Sequence, residues 1–257
     1  MSDDASASRS PRYLVNIGLF LVTFLTTTAD GAIYLHGARE GDGFFGWGAI
    51  FPIADGLSYS LPLLLILVCH EFGHYFTARA YGVEASLPYF IPLPPSVGLG
   101  TLGAVIGMRN VTRDRKQLID IGAAGPLCGL IVAVPVILYG LSLSAVGRLE
   151  MNGWQEGNSI LYAVLKFVSK GEWLPGGGRD VFIHPTARAG WAGLLVTMIN
   201  LLPMGQLDGG HIATAYFGNR YGRFATAVHR LLPVIALLVF GWVLHLVKDE
   251  SGSRWDR

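Results

Sequence analysis

The chain has 257 residues, of which 51% are hydrophobic and only 14% are charged. A soluble domain usually carries about 25% charged residues, so this composition indicates a protein that crosses a membrane several times. The net charge of +1 gives no sign of a nucleic-acid-binding surface, and two cysteines exclude a disulfide framework. We therefore expect the lipid bilayer as a partner and no nucleic acid.

Apolar stretches recur along the chain, each near the roughly 20 residues that a helix needs to cross hydrocarbon. The sequence predicts an all-α polytopic membrane protein with about five to six transmembrane helices, folded as a single domain over residues 1–257. After a polar tail at 1–12, the predicted spans cover residues 13–34, 56–81, 118–143, 189–216 and 225–247. A partly inserted helix at 155–168 would supply the sixth span.

Residues 87–108 are apolar, yet their composition does not favour a helix. The stretch holds four prolines and four glycines, which are Pro88, Pro92, Pro94, Pro95, Gly98, Gly100, Gly103 and Gly107. Prolines at this density break a helix, and glycines permit turns and close backbone approach. Apolar non-helical backbone is tolerated at membrane depth only where protein or a water-filled cavity covers it. We expect a re-entrant β hairpin, with a Pro-rich surface loop as the alternative.

Lys and Arg residues in the short loops predict the orientation, because cytoplasmic loops carry an excess of them. The loop between the first two spans holds Arg39 alone. The loops after the hairpin and after the fourth span hold Arg109, Arg113, Arg115, Lys116, Arg220 and Arg223. These two loops and the N-terminus are predicted to be cytoplasmic, in a cell (inner) membrane. Residues 144–188 would face the extracytoplasmic side, although several Lys and Arg residues there weaken that prediction.

The second predicted span carries the sequence His70-Glu71-Phe72-Gly73-His74. Residues four apart share one face of a helix, so His70 and His74 can bind one metal ion, and His-Glu-x-x-His is a signature of zinc hydrolases. Glu71 lies beside them, where it can take a proton from a water molecule at the metal. Two imidazoles and a carboxylate are costly to place in a bilayer without a function.

A catalytic zinc site usually has three protein ligands, so a third ligand is expected elsewhere in the chain. Asp208 is the candidate because it is an acidic residue within an apolar predicted span. Pro203 and the Gly209-Gly210 pair would unwind that helix locally and turn the carboxylate inward. His211, three residues later, is a rival ligand. The alternative is that His211 supports the ligands without binding the metal itself.

Two motifs together resemble the site-2 protease family of intramembrane zinc metalloproteases. They are His-Glu-x-x-His in one span and Asn-x-x-Pro-x-x-x-Leu-Asp-Gly, beginning at Asn200, in a later one. Residues 120–126 are similar to the small-residue third span of that family, and the hairpin at 87–108 is similar to its re-entrant β element. The resemblance covers about residues 58–211. It implies that His70, His74 and Asp208 bind one Zn²⁺ per chain and that Glu71 is the general base.

The resemblance also implies a zinc metalloendopeptidase that hydrolyses peptide bonds in or near transmembrane segments of membrane-anchored substrates, in regulated intramembrane proteolysis. Asn200 matches a family residue that holds the substrate backbone, with an interhelical hydrogen bond as the alternative. A helical substrate must unwind before cleavage, and strand pairing with the hairpin around 97–105 would replace its lost hydrogen bonds. Gly98, Gly100 and Gly103 are therefore further candidates for substrate binding.

Two other functions remain compatible with these residues. A membrane metal transporter or metal-binding protein would use the same ligands but has no need of Glu71. A non-cleaving relative that binds transmembrane partners would be expected to have lost Glu71 or a ligand. Because 144–188 is too short for a PDZ domain and ten residues follow Val247, we expect a minimal core without a PDZ or nucleotide-sensing module. The sequence sets no oligomeric state.

Overall fold

The computed structural model describes residues 13–36, 53–95, 98–109, 114–148 and 156–218, together with 220–223, 225–228, 230, 231, 234 and 237. The predicted tail at 1–12, residues 96–97 of the predicted hairpin and most of the predicted last span at 225–247 lie outside the described residues. Within the described ranges the chain is mostly helical, with three small antiparallel sheets. This agrees with the expectation of a largely helical membrane protein.

Three of the described helices are long and apolar enough to cross a membrane. They are α1 (Tyr13–His36), α2 (Ile53–Ala80) and α3 (Arg115–Ser142). Their bounds lie close to the first three predicted spans. Leu14, Leu65 and Ile131 project outward from them and are exposed, as lipid-facing side chains would be.

The α2 helix lies at the centre of the bundle and contacts α1, α3 and α5 (Pro185–Asn200). Small residues bring these helices together. A Cβ atom on Gly73 of α2 would lie 2.6 Å from the carbonyl oxygen of Ala124 in α3, and one on Gly193 of α5 would lie 2.8 Å from Ile66 of α2. Close approach at small residues is the usual packing mode of membrane helices, and it fixes α2 between its neighbours.

A β hairpin follows α2 in the Pro- and Gly-rich stretch. Its strands are β2 (Tyr89–Pro92) and β3 (Thr101–Val105), which pair antiparallel with Tyr89 opposite Val105. A second short pair, β1 (Glu84–Ala85) with β4 (Met108–Arg109), continues the hairpin at its base. The α1 helix packs along β2. The chain therefore forms paired strands next to a candidate membrane helix.

The described residues 144–148 and 156–188 contain regular secondary structure rather than an extended loop. They contain β5 (Ala145–Arg148), α4 (Ile160–Lys170) and β6 (Arg179–Phe182), with β5 and β6 paired antiparallel, and we call them the α4 unit. The α4 helix has 11 residues, about half the number needed to cross hydrocarbon. Its Lys166 is fully buried and pairs with Glu156 at 2.9 Å and Asp180 at 3.0 Å.

The stretch predicted as a single fourth span, 189–216, forms two helices. The first, α5, ends at Asn200, and the second, α6 (Asp208–Phe217), begins at Asp208. Pro203 lies in the break, where its ring and missing N–H cannot continue a helix. Gly205 adopts a φ of 54°, which side chains with a Cβ rarely adopt. The break is the reason that Asp208 stands at the start of a helix rather than inside one.

Candidate metal centre

The α2 helix presents two imidazoles to the interior of the bundle. His70 and His74 are 2% and 4% exposed, and their Nε2 atoms lie 3.2 Å apart. They are one helical turn apart on the same face, as the spacing of the motif predicted. Both rings therefore point their Nε2 atoms at one point in space.

Asp208 completes a triangle with these two nitrogens. Its Oδ2 atom lies 3.2 Å from Nε2 of His70 and 3.1 Å from Nε2 of His74. Zinc binds nitrogen and oxygen ligands tetrahedrally at about 2.0–2.2 Å, which separates neighbouring ligand atoms by about 3.3–3.5 Å. The three observed distances are close to that range, so the donor set fits a zinc ion. Among the described residues, these three form the group of His, Cys, Asp and Glu that could hold a metal.

A backbone carbonyl of α3 fixes which nitrogen of the His74 imidazole carries the proton. Nδ1 of His74 lies 2.7 Å from the carbonyl oxygen of Ile121 in α3. A carbonyl oxygen can only accept, so Nδ1 of His74 carries the proton and its Nε2 is left with a free lone pair. Nδ1 of His70 is buried and has no hydrogen-bond partner within the described residues. The α3 helix therefore orients His74 through its backbone.

Small residues on α3 leave room for the imidazoles. A Cβ atom on Gly125 would collide with the His74 ring, and one on Gly129 would lie 3.3 Å from Nδ1 of His70. Gly122 faces α6 near Asp208, where a Cβ atom would lie 3.3 Å from the carbonyl oxygen of that residue. The small residues that mark this helix in the sequence are thus explained by space for the metal ligands.

Glu71 and Asn200 join the ligands at one cavity. Glu71 is 4% exposed and lines a cavity of about 750 Å³ together with His74, Asp208 and Asn200. Asn200 is the last residue of α5, and its Nδ2 atom lies 3.4 Å from Nε2 of His70. The structure thus brings together the ligand, base and amide residues that the sequence predicted.

The hairpin reaches this cavity near its base rather than at Gly98, Gly100 and Gly103. Residues 104–108 line the cavity, as does Tyr89 on the partner strand. Gly100 instead packs on the backbone of Thr26 and Thr27 in α1, and a Cβ atom on Gly103 would lie 3.2 Å from Val196 of α5. A Cβ atom on Gly98 would have no neighbour within 4 Å among the described residues. Substrate binding by these three glycines stays a prediction.

One cavity residue, Gln206, was not singled out by any sequence pattern. It lies with Leu207 in the break before α6 and lines the cavity beside Asp208, and the rival ligand His211 lines it one turn later. His211 is not part of the group that could hold a metal. Gln206 carries no sequence signal of its own, because its place depends on the conformation of the break.

Comparison with known proteins decides the family. The sequence profile of peptidase family M50 matches residues 58–241. The chain belongs to peptidase family M50. The predicted family is therefore confirmed, and the His70, His74 and Asp208 group lies within the matched residues.

Relatives of this M50 chain carry matching names. The protein named "Probable zinc metalloprotease EGY2, chloroplastic" from Oryza sativa subsp. indica is 33% identical over 206 residues, which cover 78% of this chain and 37% of the relative. "Probable zinc metalloprotease EGY1, chloroplastic" from Arabidopsis thaliana is 32% identical over 208 residues, 77% of this chain and 37% of the relative. The chain thus spans a little over a third of these relatives. No solved structure matches it significantly.

Proposed function

We propose that this chain is a zinc-dependent endopeptidase that hydrolyses peptide bonds in or near transmembrane segments of membrane-anchored proteins, in regulated intramembrane proteolysis. The observation that carries the proposal is the group formed by His70, His74 and Asp208, with Glu71 beside it in a cavity. Both histidines and Glu71 lie on α2, a helix of membrane length. Membership of peptidase family M50 supports the same reaction.

The chemistry follows from the positions of these residues. Bound by His70, His74 and Asp208, zinc supplies Lewis acidity that polarises the scissile carbonyl and makes a water molecule easier to deprotonate. Glu71 accepts the proton as the water oxygen bonds to the carbonyl carbon, and then gives it to the leaving amine as the C–N bond breaks. The amide of Asn200 can donate a hydrogen bond to the substrate carbonyl and accept one from a substrate N–H.

The substrate would enter the site as an extended strand. A peptide bond inside a helix has its carbonyl occupied, so the substrate helix must unwind locally before cleavage. β3 is an edge strand of a two-stranded sheet, and the residues that follow it line the cavity of Glu71 and Asp208. An extended peptide that pairs with this edge would regain backbone hydrogen bonds and lie across the metal centre. Gly98, Gly100 and Gly103 would allow the strand to approach closely.

The membrane arrangement is part of the proposal. We propose that the chain has five to six transmembrane spans and that the hairpin is re-entrant. The N-terminus would lie on the cytoplasmic side of a cell membrane. The contact of β2 with α1, a helix of membrane length, supports the re-entrant position. The proposed partners are membrane-anchored protein substrates and the bilayer itself. The chain would form a single domain, with the α4 unit on the extracytoplasmic side.

A cleavage assay with a matched control tests this function. Purified protein in detergent would be incubated with a panel of single-span substrates, as wild type, as Glu71→Gln and as Glu172→Gln. Glu172 is partly exposed and pairs with Arg179, so its substitution controls for the loss of one carboxylate away from the cavity. Zinc content would be measured on all three proteins.

We expect about one zinc per chain in all three proteins, cleavage by wild type and Glu172→Gln, and a loss of about 10²–10⁴-fold in rate for Glu71→Gln. Zinc binding without cleavage of any substrate would contradict the protease proposal. If wild type and Glu71→Gln then behaved alike in a zinc-flux assay, the function would be metal transport or binding.

A further inference from the structure

The α1 helix buries polar side chains that a simple membrane anchor does not need. Asn16, Thr26 and Asp30 are 7%, 4% and 3% exposed. A buried polar group in an apolar helix is unfavourable unless it is hydrogen-bonded. Thr27 bonds within its own helix, to the Thr23 carbonyl at 2.7 Å. Thr26 bonds the same carbonyl at 3.1 Å, but Asn16, Thr26 and Asp30 also have partners on other elements, so their burial calls for a separate explanation.

Three consecutive backbone carbonyls before β3 each accept a hydrogen bond from a different helix. Thr26 of α1 donates to Gly100 at 2.7 Å, and the hydroxyl of Tyr59 in α2 donates to Leu99 at 3.1 Å. Arg188 of α5 donates to Gly98 at 3.4 Å. The Gly100 carbonyl also accepts the Leu93 N–H at 3.1 Å across the hairpin, so Thr26 adds a second hydrogen bond to it. The turn before β3 is thus attached to all three helices.

The guanidinium of Arg188 is fixed beside the same turn by an ion pair and two aromatic rings. Its guanidinium donates to Asp30 Oδ2 at 2.7 Å and lies over the rings of Tyr34 and Tyr59, 4.6 Å and 4.5 Å from their centres. An Arg that is paired and stacked in this way has a fixed side chain. The Asp30–Arg188 pair therefore joins α1 to α5 beside the turn.

The other end of the hairpin is attached to the same helix. Asn16 Nδ2 donates to the carbonyl oxygens of Leu87 at 3.0 Å and Pro88 at 2.8 Å, where the chain enters β2. Asn16 and Thr26 are ten residues apart, which is about 15 Å along a helix. The α1 helix thus holds both ends of the hairpin, whose residues 104–108 line the cavity of Glu71.

We infer that Asn16, Thr26, Tyr59 and the Asp30–Arg188 pair are positioning residues for the reaction, and we call them the hairpin clamp. The clamp holds the β3 edge at a fixed distance and register from the metal centre, so that a substrate strand paired with β3 presents its scissile bond to Glu71. This inference rests on the proposed function for its kinetic consequence. It gives α1, which precedes the residues matched by the family profile, a part in substrate binding.

Two shape-conserving substitutions weaken the clamp without emptying the core. Thr26→Val and Tyr59→Phe together remove the hydroxyls that bond Gly100 and Leu99. The matched control is Thr27→Val with Tyr162→Phe, because Thr27 bonds within its own helix and Tyr162 bonds Glu156 at 3.1 Å in the α4 unit. The single variant Thr26→Ser keeps the donor and should restore the behaviour lost in Thr26→Val.

For the clamp double variant we expect KM for a single-span substrate to rise about threefold to tenfold, the factor that one or two lost hydrogen bonds produce. We expect kcat within about twofold of wild type and unchanged zinc content, since no substituted residue contacts the cavity. Amide hydrogen exchange at residues 101–105 should become faster in detergent, while exchange in α2 stays the same. The control double variant should match wild type in all of these measurements.

Unchanged KM and unchanged exchange at 101–105 in the clamp variant would overturn the inference. So would an equal loss of kcat and melting temperature in the clamp and control variants, because that pattern indicates a general effect on the fold. If wild type cleaves no substrate, the proposed function fails on its own. The exchange measurement then still decides whether the clamp holds the hairpin.

Discussion

The candidate metal centre and the α4 unit both bury charged side chains, but those of the α4 unit are enclosed whereas those of the candidate metal centre line a cavity. Lys166 has 0% exposure and is enclosed by Glu156, Asp180 and the ring of Tyr162, whose centre lies 4.8 Å from its Nζ atom. Its charge is neutralised within the unit. At the metal centre, Asp208 is held by two imidazoles but also lines an open cavity with Glu71, and Nδ1 of His70 has no partner among the described residues.

The buried charges therefore serve different purposes at the two places: those of the α4 unit support the fold, and those of the candidate metal centre are available for chemistry. A buried ion pair that is fully enclosed gives little net stability, and removing one partner is strongly destabilising because the other charge is left unpaired. A buried charge that lines a cavity remains available to a ligand, and in a membrane such groups mark functional sites. We therefore expect substitutions in the α4 unit to change stability and those at the metal centre to change metal binding and activity.

Asp208→Ala should give the largest effect, on zinc binding and on activity. Removal of one of three ligands leaves two imidazoles, too few for a catalytic zinc site. We expect zinc content to fall close to zero and cleavage to fall at least about 10³-fold, with a small change in thermal stability of the zinc-free protein. Asp55→Ala is the control, because the carboxylate of Asp55 pairs with exposed His36 and does not line the cavity. Normal zinc content in Asp208→Ala would remove Asp208 from the ligand set.

Lys166→Met should lower stability and leave zinc binding unchanged. It leaves Glu156 and Asp180 without their cation, so we expect a loss of about 3–5 kcal/mol in the free energy of unfolding. Zinc content and kcat per folded molecule should stay at the wild-type level. Thermal unfolding followed by circular dichroism measures the first quantity. Restoration of stability by adding Glu156→Gln and Asp180→Asn would tie the loss to unpaired charge. Zinc loss in the folded variant would show that Lys166 affects the candidate metal centre as well as stability.

Gly125→Ala places a methyl group against the His74 ring. The ring must move away from His70 and Asp208, so we expect the affinity for zinc to fall about 10–100-fold, as it does when the surroundings of a metal ligand are changed. Competition with a chromogenic chelator measures this affinity. Gly18→Ala is the control, since a Cβ atom there has no neighbour within 4 Å among the described residues. Equal affinities in the two variants would show that α3 does not constrain His74.

The smallest expected effect lies at His184, outside the candidate membrane helices. Its Nδ1 atom accepts the Thr186 N–H at 3.2 Å and caps α5, and burial lowers the pKa of His184 from its ordinary value of 6.5. Because the unfolded state binds this proton more tightly, the stability it contributes is present above the ordinary pKa and is lost as pH falls through the lower folded-state pKa.

His184→Asn keeps a capping side chain that does not titrate in this range. We expect wild type to lose a small amount of stability as the pH falls below about 6.5, and His184→Asn to lose less. Melting temperatures between about pH 5 and pH 8 measure the difference. Parallel pH profiles for the two proteins would assign the acid sensitivity to other groups.

The candidate ligand group was predictable because its sequence signals are local. The spacing of His70 and His74 places both on one helix face, and its acidic side chain in an apolar stretch made Asp208 the candidate for the third ligand, which the structure places beside them. The break between α5 and α6 was only partly predictable. Pro203 and the Gly209-Gly210 pair indicated local unwinding, but not that α5 ends at Asn200 and α6 begins at Asp208.

The contacts of α1 were not predictable from the sequence. Asn16 and Asp30 are visible as polar residues in an apolar helix, but their partners lie 71 and 158 residues away, at Leu87 and Arg188. Sequence periodicity describes which face of a helix is apolar, and it carries no information about such distant pairs. The cavity wall at 104–108 depends in the same way on how α1, α2 and α5 hold the hairpin.

Zinc K-edge X-ray absorption on the purified wild-type protein tests whether His70, His74 and Asp208 bind zinc, because it reports the atoms bound to the metal. The expected result is about one zinc per chain, with imidazole nitrogen and carboxylate oxygen ligands at about 2.0–2.2 Å, and with one oxygen contribution lost or zinc absent in Asp208→Ala. A sulfur ligand at about 2.3 Å, which Cys69 or Cys128 would supply, or a spectrum unchanged in Asp208→Ala would contradict it.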